Sequence, residues 1–163
     1  MVINNKPSRS DPVTDKLRAA IEHRASWMYL LMDEAKNRGL EWEDFARQAI
    51  LRCGRFHGES KFHSESDLEK FGKNFANEDV VKIFEMDVKE ASKDRLYIEF
   101  HYCPLLTAWQ KLGASEADYG ILCDIAMDGD RGIIEACPAF KFHLGDTIAK
   151  GGNCCQVTVE RKK

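Results

Sequence analysis

The spacing of apolar residues changes along the chain, and this change constrains the fold more than any other feature. In the first third, apolar residues recur every three or four positions, which predicts two amphipathic helices. Asp11 and Pro12 suit the start of the first helix, and Gly39 suits a left-handed cap at its end. The second helix is expected to end at Gly54. Helices joined by so short a connection are predicted to pack as a hairpin.

In the middle of the chain, apolar residues recur at every second position. Apolar and charged side chains alternate over residues 84–88 and 96–102, and the polar stretch 91–94 joins them, which predicts a β-hairpin. The other predicted elements are a loop at 54–65, helices at 66–75, from Pro104 and from Ser115 to about Met127, and strands at 131–144 and 155–160.

This order of elements predicts an α+β fold. We expect a single domain over residues 1–163, with the N-terminal helical hairpin and further helices packed against an antiparallel sheet of about four or five strands. Residues 1–10 are polar and are expected to be disordered.

Composition and charge exclude several functional classes. With 44% apolar residues, and 24 basic against 27 acidic side chains, the chain resembles a soluble domain without the basic surplus of a nucleic-acid-binding protein. No apolar run is long enough for a membrane span, and the N-terminus lacks the apolar segment of a signal peptide. We therefore expect a cytoplasmic protein without nucleic-acid or membrane partners.

Six cysteines are then expected to be reduced. None forms a CxxC pair, so neither a metal nor another cofactor is predicted. An alternative is that four of them converge in space as a metal or iron–sulfur site, namely Cys103, Cys123, Cys137 and Cys155.

The segment Tyr97–Pro104 is the most informative for chemistry. Alternation along a strand would place Glu99, His101 and Cys103 on one face. Cys103 also precedes a helix, whose N-terminal dipole favours the thiolate, and His101 would serve as its base. The alternative is that Cys103 is an inert, buried cysteine.

Two further segments carry candidate residues. Asp128-Gly129-Asp130 is predicted to form an acidic turn after a helix, either as a functional carboxylate or as ordinary turn chemistry. In Gly151-Gly-Asn-Cys-Cys155, strand alternation places Cys155 towards the core and Cys154 away from it.

Four motifs together resemble a known family. They are His23-Arg-Ala-Ser-Trp27, the Cys103-Pro…Trp109…Gly113 segment, Leu122-Cys-Asp-Ile-Ala…Gly129-Asp130, and Thr147-Ile-Ala-Lys-Gly151 followed by cysteine. In order and spacing they resemble the L-2-amino-thiazoline-4-carboxylic acid hydrolase family over about residues 16–160. The sequence departs from the family pattern at Asn153, where a carboxylate is expected, and either Cys154 or Cys155 would match the family cysteine. Strand alternation favours Cys155.

The resemblance implies a small-molecule hydrolase that opens 2-amino-thiazoline-4-carboxylate to N-carbamoyl-cysteine. We expect an enzyme that acts on a carbon–nitrogen or carbon–sulfur bond of such a cyclic amidine. Ring opening needs attack at an amidine-like carbon, a proton for the departing group and charge stabilisation. Either Cys103 attacks with His101 as base, or Asp130 or His101 activates water. The residues that would line the pocket or bind substrate are Cys155, Cys123, Trp109, His23, Arg24 and Arg131; for His23, hydrogen-bonded packing is the favoured interpretation.

A different class of function fits the same residues. The domain is similar in outline to vinyl-reductase-type sensor domains, in which cysteines and aromatic residues would form a binding pocket without turnover. A homo-oligomer is compatible with either function, because small enzymes often complete a pocket across a symmetric interface.

Overall fold

Two long helices begin the chain, as the apolar spacing predicts. In the computed structural model, which describes residues 3–163, α1 spans Pro12–Asn37 and α2 spans Trp42–Lys61. The carboxylate of Asp11 accepts hydrogen bonds from the first amide groups of α1, and Gly39 has a φ of 68° after its end. The predicted start and end of the first helix are confirmed.

Glycines do not end α2 or the later long helix, contrary to the sequence prediction. α2 continues through Gly54 to Lys61, so the loop predicted over residues 54–65 is wrong up to residue 61 and begins only at Phe62. The helix α6 spans Glu116–Glu135 and continues past Gly129, so Asp130 lies on a helix and not in an acidic turn. At Gly54 the main chain of α2 approaches the Gly129 carbonyl so closely that a Cβ atom would overlap it. Gly54 therefore allows the two helix backbones to touch.

The remaining elements agree with the α+β prediction. They are α3 (Leu68–Phe75), α4 (Glu78–Phe84), β1 (Met86–Ala91), β2 (Arg95–Phe100), α5 (Pro104–Lys111), β3 (Phe140–Leu144), a 3-10 helix (Ile148–Lys150) and β4 (Cys155–Arg161). The β-hairpin is confirmed, although helix α4 occupies the first residues of the predicted alternation. Residues 131–135 belong to α6, so the predicted extended stretch begins only at Phe140.

The four strands form one antiparallel sheet in the order β1-β2-β4-β3. Ile98 of β2 pairs with Val88 on one side and Val157 on the other. Ile98 and Val157 are buried, whereas Glu99 is turned towards the opposite, more exposed face. This alternation leaves one face of the sheet for the helices.

The core has two parts. Helices α1, α5 and α6 enclose an apolar cluster around Leu106, Trp109 and Ile125. A second cluster joins α3 and the C-terminal part of α6 to the sheet, around Phe71. Cys155 packs against both clusters, so the start of β4 lies where they meet.

The segment before α1 is held in place by hydrogen bonds. Asn5 is buried, and its side chain bonds both the amide and the carbonyl of Cys103, each at 2.9 Å. The amides of Ser8 and Arg9 donate to Glu85. The expected disorder is therefore wrong for residues 5–9, while residues 1 and 2 lie outside the described part of the chain.

Within residues 3–163, none of the helices combines the length and apolar character needed to span a membrane.

Candidate functional site

Three cysteines that are far apart in sequence meet in the helical cluster. Cys103 precedes α5, Cys123 lies on α6, and Cys155 begins β4. Cys155 pairs with Phe100 at the end of β2, which brings it beside the turn that carries Cys103. The three thiols influence one another electrostatically. We refer to Cys103, Cys123 and Cys155 as the thiol cluster.

Burial dominates the acidity of Cys103. Loss of water raises the pKa of its thiol to about 12, although the amide groups of Leu105 and Leu106 at the start of α5 act in the opposite direction. The side chain makes no capping hydrogen bond to α5. The expected thiolate is therefore wrong, because desolvation outweighs the helix N-terminus.

The other two thiols are protonated for the same reason. Burial is the main cause that raises the pKa of Cys155, and Cys103 and Cys123 add to it. The Cys155 sulfur accepts a hydrogen bond from the Ile148 amide at 3.3 Å. Cys154, as predicted, faces away from the core towards Glu99.

A buried hydroxyl lies beside Cys123. Burial raises the pKa of the Cys123 thiol, and the neighbouring hydroxyl of Thr147 acts against that rise. Thr147 is fully buried, and among the described residues no hydrogen bond of normal geometry reaches its Oγ1 atom. A buried polar atom without a partner is uncommon and marks a place where a water molecule or a ligand atom would be stabilised.

Asp130 lies on the same side of α6 as Cys123, because seven residues make two helical turns. Its carboxyl group is partly buried, and desolvation raises its pKa to about 6, with Arg24 and Arg131 acting against the rise. Arg131 also lowers the pKa of Cys123, so its charge influences both the thiol cluster and Asp130.

Arg131 is held in position by two carboxylates of its own helix. Its guanidinium donates to Asp128 at 2.6 Å and to Asp124 at 2.7 Å. Arg47 of α2 binds the same two carboxylates, at 2.8 Å for Asp124 and 3.2 Å for Asp128. Arg24, in contrast, is exposed on α1. Of the two cations near Asp130, Arg24 is thus the one whose side chain is open to solvent.

His101 is not next to the thiol cluster. Strand β2 ends at Phe100, so the alternation that would have put His101 and Cys103 on one face stops before Cys103. The imidazole is exposed, and its Nε2 lies 3.8 Å from Glu99. Its predicted role as base for Cys103 is therefore contradicted by the position of the two side chains.

A metal site formed by four cysteines is also contradicted. Cys137 lies in the sheet cluster and not with the other three thiols. Among residues 3–163, the ligand atoms of a single Asp/Glu/His group come within 4.8 Å of one another, those of Asp87, Glu99 and His101. Lys89 forms ion pairs with both carboxylates of that group, so part of their charge is already neutralised by a cation of the chain.

Trp109 differs from its expected role in substrate binding, whereas His23 has the hydrogen-bonded packing role that the sequence favours. Trp109 is 1% exposed and its indole N–H donates to the Ala25 carbonyl at 3.3 Å, so it packs the core and has no free face for a substrate ring. His23 is exposed on α1 and accepts a hydrogen bond from the Trp27 indole at 2.8 Å. It lies on the outer surface of the helix, where hydrogen-bonded packing is its role.

Thr147 and Asn5 are the residues that sequence reasoning missed. Thr147 belongs to a segment noted only as a motif, and nothing in its sequence context indicates burial. Asn5 fixes the main chain of Cys103 from a segment predicted to be disordered. An isolated polar residue in a polar segment gives no such signal.

A surface groove lies beside this region. It is formed between the end of α6 and β3, and its lining residues are Arg131, Ile134, Glu135, Pro138, Phe140, Lys141, Phe142 and Lys162. The Arg131 guanidinium also lies over the Phe142 ring, 6.0 Å from its centre.

The family of the chain follows from its sequence over most of its length. A sequence model of the family described as L-2-amino-thiazoline-4-carboxylic acid hydrolase matches residues 18–159. The chain belongs to this family. The match includes the whole thiol cluster and Asp130, and no curated protein matches the chain in sequence.

A solved structure supports the fold independently. The domain is similar to subunit 3 of a trafficking protein particle complex from Naegleria fowleri, described as covalently bound to palmitic acid. The TM-score is 0.56 at 15% identity, and the match covers 87% of this chain and 95% of that one. At this identity the likeness shows a shared fold alone.

Proposed function

We propose that this member of the family is a hydrolase that opens the ring of a small cyclic amidine, as in the conversion of 2-amino-thiazoline-4-carboxylate to N-carbamoyl-cysteine. The observation that carries the proposal is the environment of Asp130, a carboxyl group with a pKa of about 6 on the same side of α6 as the thiol cluster. Membership of the family supports the substrate class.

Asp130 has the acidity that a general base needs. A base is most effective when its pKa lies near the working pH, because it is then largely ionised and still holds a proton firmly. Desolvation gives Asp130 this property, since an exposed aspartate would have a pKa near its ordinary value of 3.8. In this mechanism Asp130 removes a proton from the attacking water.

The reaction balances with one molecule of water. The water oxygen forms a bond to C2 of the ring, and the bond from C2 to the ring sulfur breaks. The sulfur leaves with the bonding electron pair and takes up the proton that Asp130 accepted. The second water proton passes to the ring nitrogen, which becomes the N–H of the urea, and C2 becomes its carbonyl carbon. The product is a thiol, and neither oxidant nor reductant is consumed.

The thiol cluster lines the site in this proposal and does not attack. A cysteine nucleophile reacts as the thiolate, and the pKa of Cys103 is about 12. Water activated by Asp130 is therefore favoured over attack by Cys103. The unpaired Thr147 hydroxyl next to Cys123 offers a hydrogen bond to a polar atom of the substrate.

A cation near Asp130 would bind the substrate carboxylate. Guanidinium groups hold carboxylates in a planar, two-point geometry. Arg131 is already bonded to Asp124 and Asp128, whereas Arg24 is exposed. We therefore assign the carboxylate to Arg24, with Arg131 stabilising the ionised form of Asp130.

The test is to incubate the protein with 2-amino-thiazoline-4-carboxylate and measure N-carbamoyl-cysteine by mass spectrometry. Asp130→Asn should lower kcat/KM by about a hundredfold or more. The matched control Asp94→Asn, in the turn of the β-hairpin, should retain activity, and Cys103→Ser should keep most of it. A fully active Asp130→Asn variant, or no product from the wild-type protein, would contradict the proposal.

A binding module without turnover is the second candidate, and the burial of the thiols favours it. All three lie in an apolar cluster with raised pKa values. The structural neighbour holds palmitic acid covalently in the same fold. Under this alternative, the apolar cluster would hold a small apolar ligand without a covalent bond, because the thiols are protonated. A reversible thermal shift with palmitic acid, without an acyl mass on the protein and without ring opening of 2-amino-thiazoline-4-carboxylate, would favour this candidate.

A further inference from the structure

The outer face of α1 carries large apolar side chains in solvent. Leu31 is 70% exposed, Trp27 is 65% exposed and Leu30 is 48% exposed. The three lie within five positions of one another, and Trp27 points away from the buried face defined by Ala25 and Met32. Scattered apolar residues on a surface are ordinary, but a contiguous group that includes a tryptophan marks an interaction surface. We call Trp27, Leu30 and Leu31 the α1 patch.

The tryptophan of the patch is already oriented. Its indole N–H donates to His23 at 2.8 Å, and the two rings meet edge to face with their centres 5.5 Å apart. Because this hydrogen bond restricts the side chain before any partner arrives, less rotamer entropy remains to be lost on binding. An exposed aromatic residue held in this way suits an anchor of an interface.

We propose that the α1 patch is the contact between two copies of this chain, with their α1 helices crossing antiparallel about a two-fold axis near position 29. In this register Trp27 of one copy faces Leu31 of the other. The two Leu30 side chains lie on either side of the axis. The apolar residues then occupy the centre of a self-complementary interface, as a two-fold contact requires.

The charges that flank the patch select the antiparallel arrangement. Arg24 precedes the patch and Glu34 follows it, and both are exposed. In the antiparallel register each Arg24 approaches Glu34 of the second copy, and symmetry makes this pair twice. A parallel two-fold arrangement would instead place Arg24 against Arg24 of the second copy, and Glu34 against Glu34. Glu34 now pairs with Arg38 at 3.4 Å in an exposed geometry, a contact that is easily exchanged.

The first test is the oligomeric state of the wild-type protein and of Leu31→Asp, by sedimentation over a range of concentrations. We expect a wild-type dimer at micromolar concentration, and a dissociation constant raised about a hundredfold or more by the charge in the patch. The matched control is Val13→Asp. Val13 is on the same helix and 64% exposed, but in this register it lies beyond the end of the second α1. It should leave the dimer intact.

A charge exchange tests the register. Arg24→Glu should weaken the dimer, and the double variant Arg24→Glu/Glu34→Arg should restore it. All the altered side chains are exposed, so each variant is expected to fold. Circular dichroism checks this expectation. A wild-type monomer at every concentration, a dimer that survives Leu31→Asp, or dissociation by Val13→Asp would each overturn the proposal. Because a guanidinium has five N–H donors, Arg24 can pair with Glu34 and still bind the substrate carboxylate of the proposed hydrolase. The readout is mass and not turnover, and Leu31→Asp leaves Arg24 in place, so a monomeric Leu31→Asp variant that still opens the ring separates the dimer from the hydrolase activity.

Discussion

Gly132 of α6 lies against the main-chain carbonyl of Leu51 in α2. A Cβ atom at position 132 would overlap that oxygen and would also lie 2.8 Å from the amide nitrogen of Arg55. The two helices therefore touch through their backbones. This close contact fixes the position of α6, which carries Cys123 and Asp130 of the candidate site.

Gly132→Ala should lower the free energy of unfolding by about 1–3 kcal/mol, because neither backbone can yield without separating the helices. Urea denaturation followed by circular dichroism measures the change. Gly120→Ala is the control on the same helix, where a Cβ would meet only the Lys150 side chain at 3.5 Å. That substitution should be neutral or slightly stabilising, since glycine weakens a helix. Equal losses in both variants would contradict the packing explanation.

Asp130→Asn should stabilise the protein at neutral pH and not in acid. The folded pKa of about 6 lies above the ordinary value of 3.8, so ionisation costs more in the folded state than in the unfolded one. This cost is absent below pH 3.8, grows as the pH rises towards 6, and is complete above it. The variant should therefore gain about 3 kcal/mol at pH 7, since each pKa unit corresponds to about 1.4 kcal/mol. The measurement is urea unfolding of both proteins across this range, and a gain independent of pH would contradict the assigned pKa.

The rate of ring opening should rise with pH through about 6 and then level off. The reason is that Asp130 acts as a base in its ionised form, which becomes the major form above its pKa. The measurement is kcat/KM as a function of pH. Arg24→Gln removes a cation that lowers this pKa, so the midpoint should move to higher pH. An unchanged midpoint would show that the group that titrates in the pH profile is not Asp130.

Arg18→Met should be among the most destabilising changes in the chain. Arg18 is 4% exposed and donates to the carbonyl of Ile83 at 3.0 Å and to Glu85 at 3.1 Å. Removing it leaves Glu85 without its buried cation, a loss of about 3–5 kcal/mol. Lys82→Met breaks an exposed pair with Glu78 and should change the stability little, because solvent screens such a pair. Similar unfolding midpoints for the two variants would argue against this assignment.

Thiol labelling should separate the cysteines by exposure. Cys53 is exposed on α2, whereas Cys103, Cys123 and Cys155 lie in the apolar cluster with raised pKa values. Iodoacetamide at neutral pH should modify Cys53 first, and peptide mass spectrometry identifies the site. Cys53→Ser should remove this early reaction without accelerating the others. Rapid alkylation of Cys103 in the folded protein would instead indicate a reactive thiolate.

Local sequence signals predicted the elements whose ends are set locally. Asp11 and Gly39 bound α1 as expected, because a side-chain cap and a positive φ act within a few residues. Ser115 caps α6 in the same way. The β-hairpin also follows from alternation alone. The predictions at Gly54 and Gly129 were wrong, because both glycines lie inside helices that continue past them. Gly54 is required by the close contact between α2 and α6 and not by a helix end.

The sequence by itself determined the α+β class, the family and the residues available for chemistry, because apolar period, turn residues and motif order are local properties of the chain. Only the tertiary structure decided which residues meet and how acidic they are. It separated His101 from Cys103 by ending β2 at Phe100, and it joined Cys103, Cys123 and Cys155 from three elements. It also set the pKa of Asp130, since desolvation depends on what the fold packs around a carboxyl group and not on its neighbours in sequence.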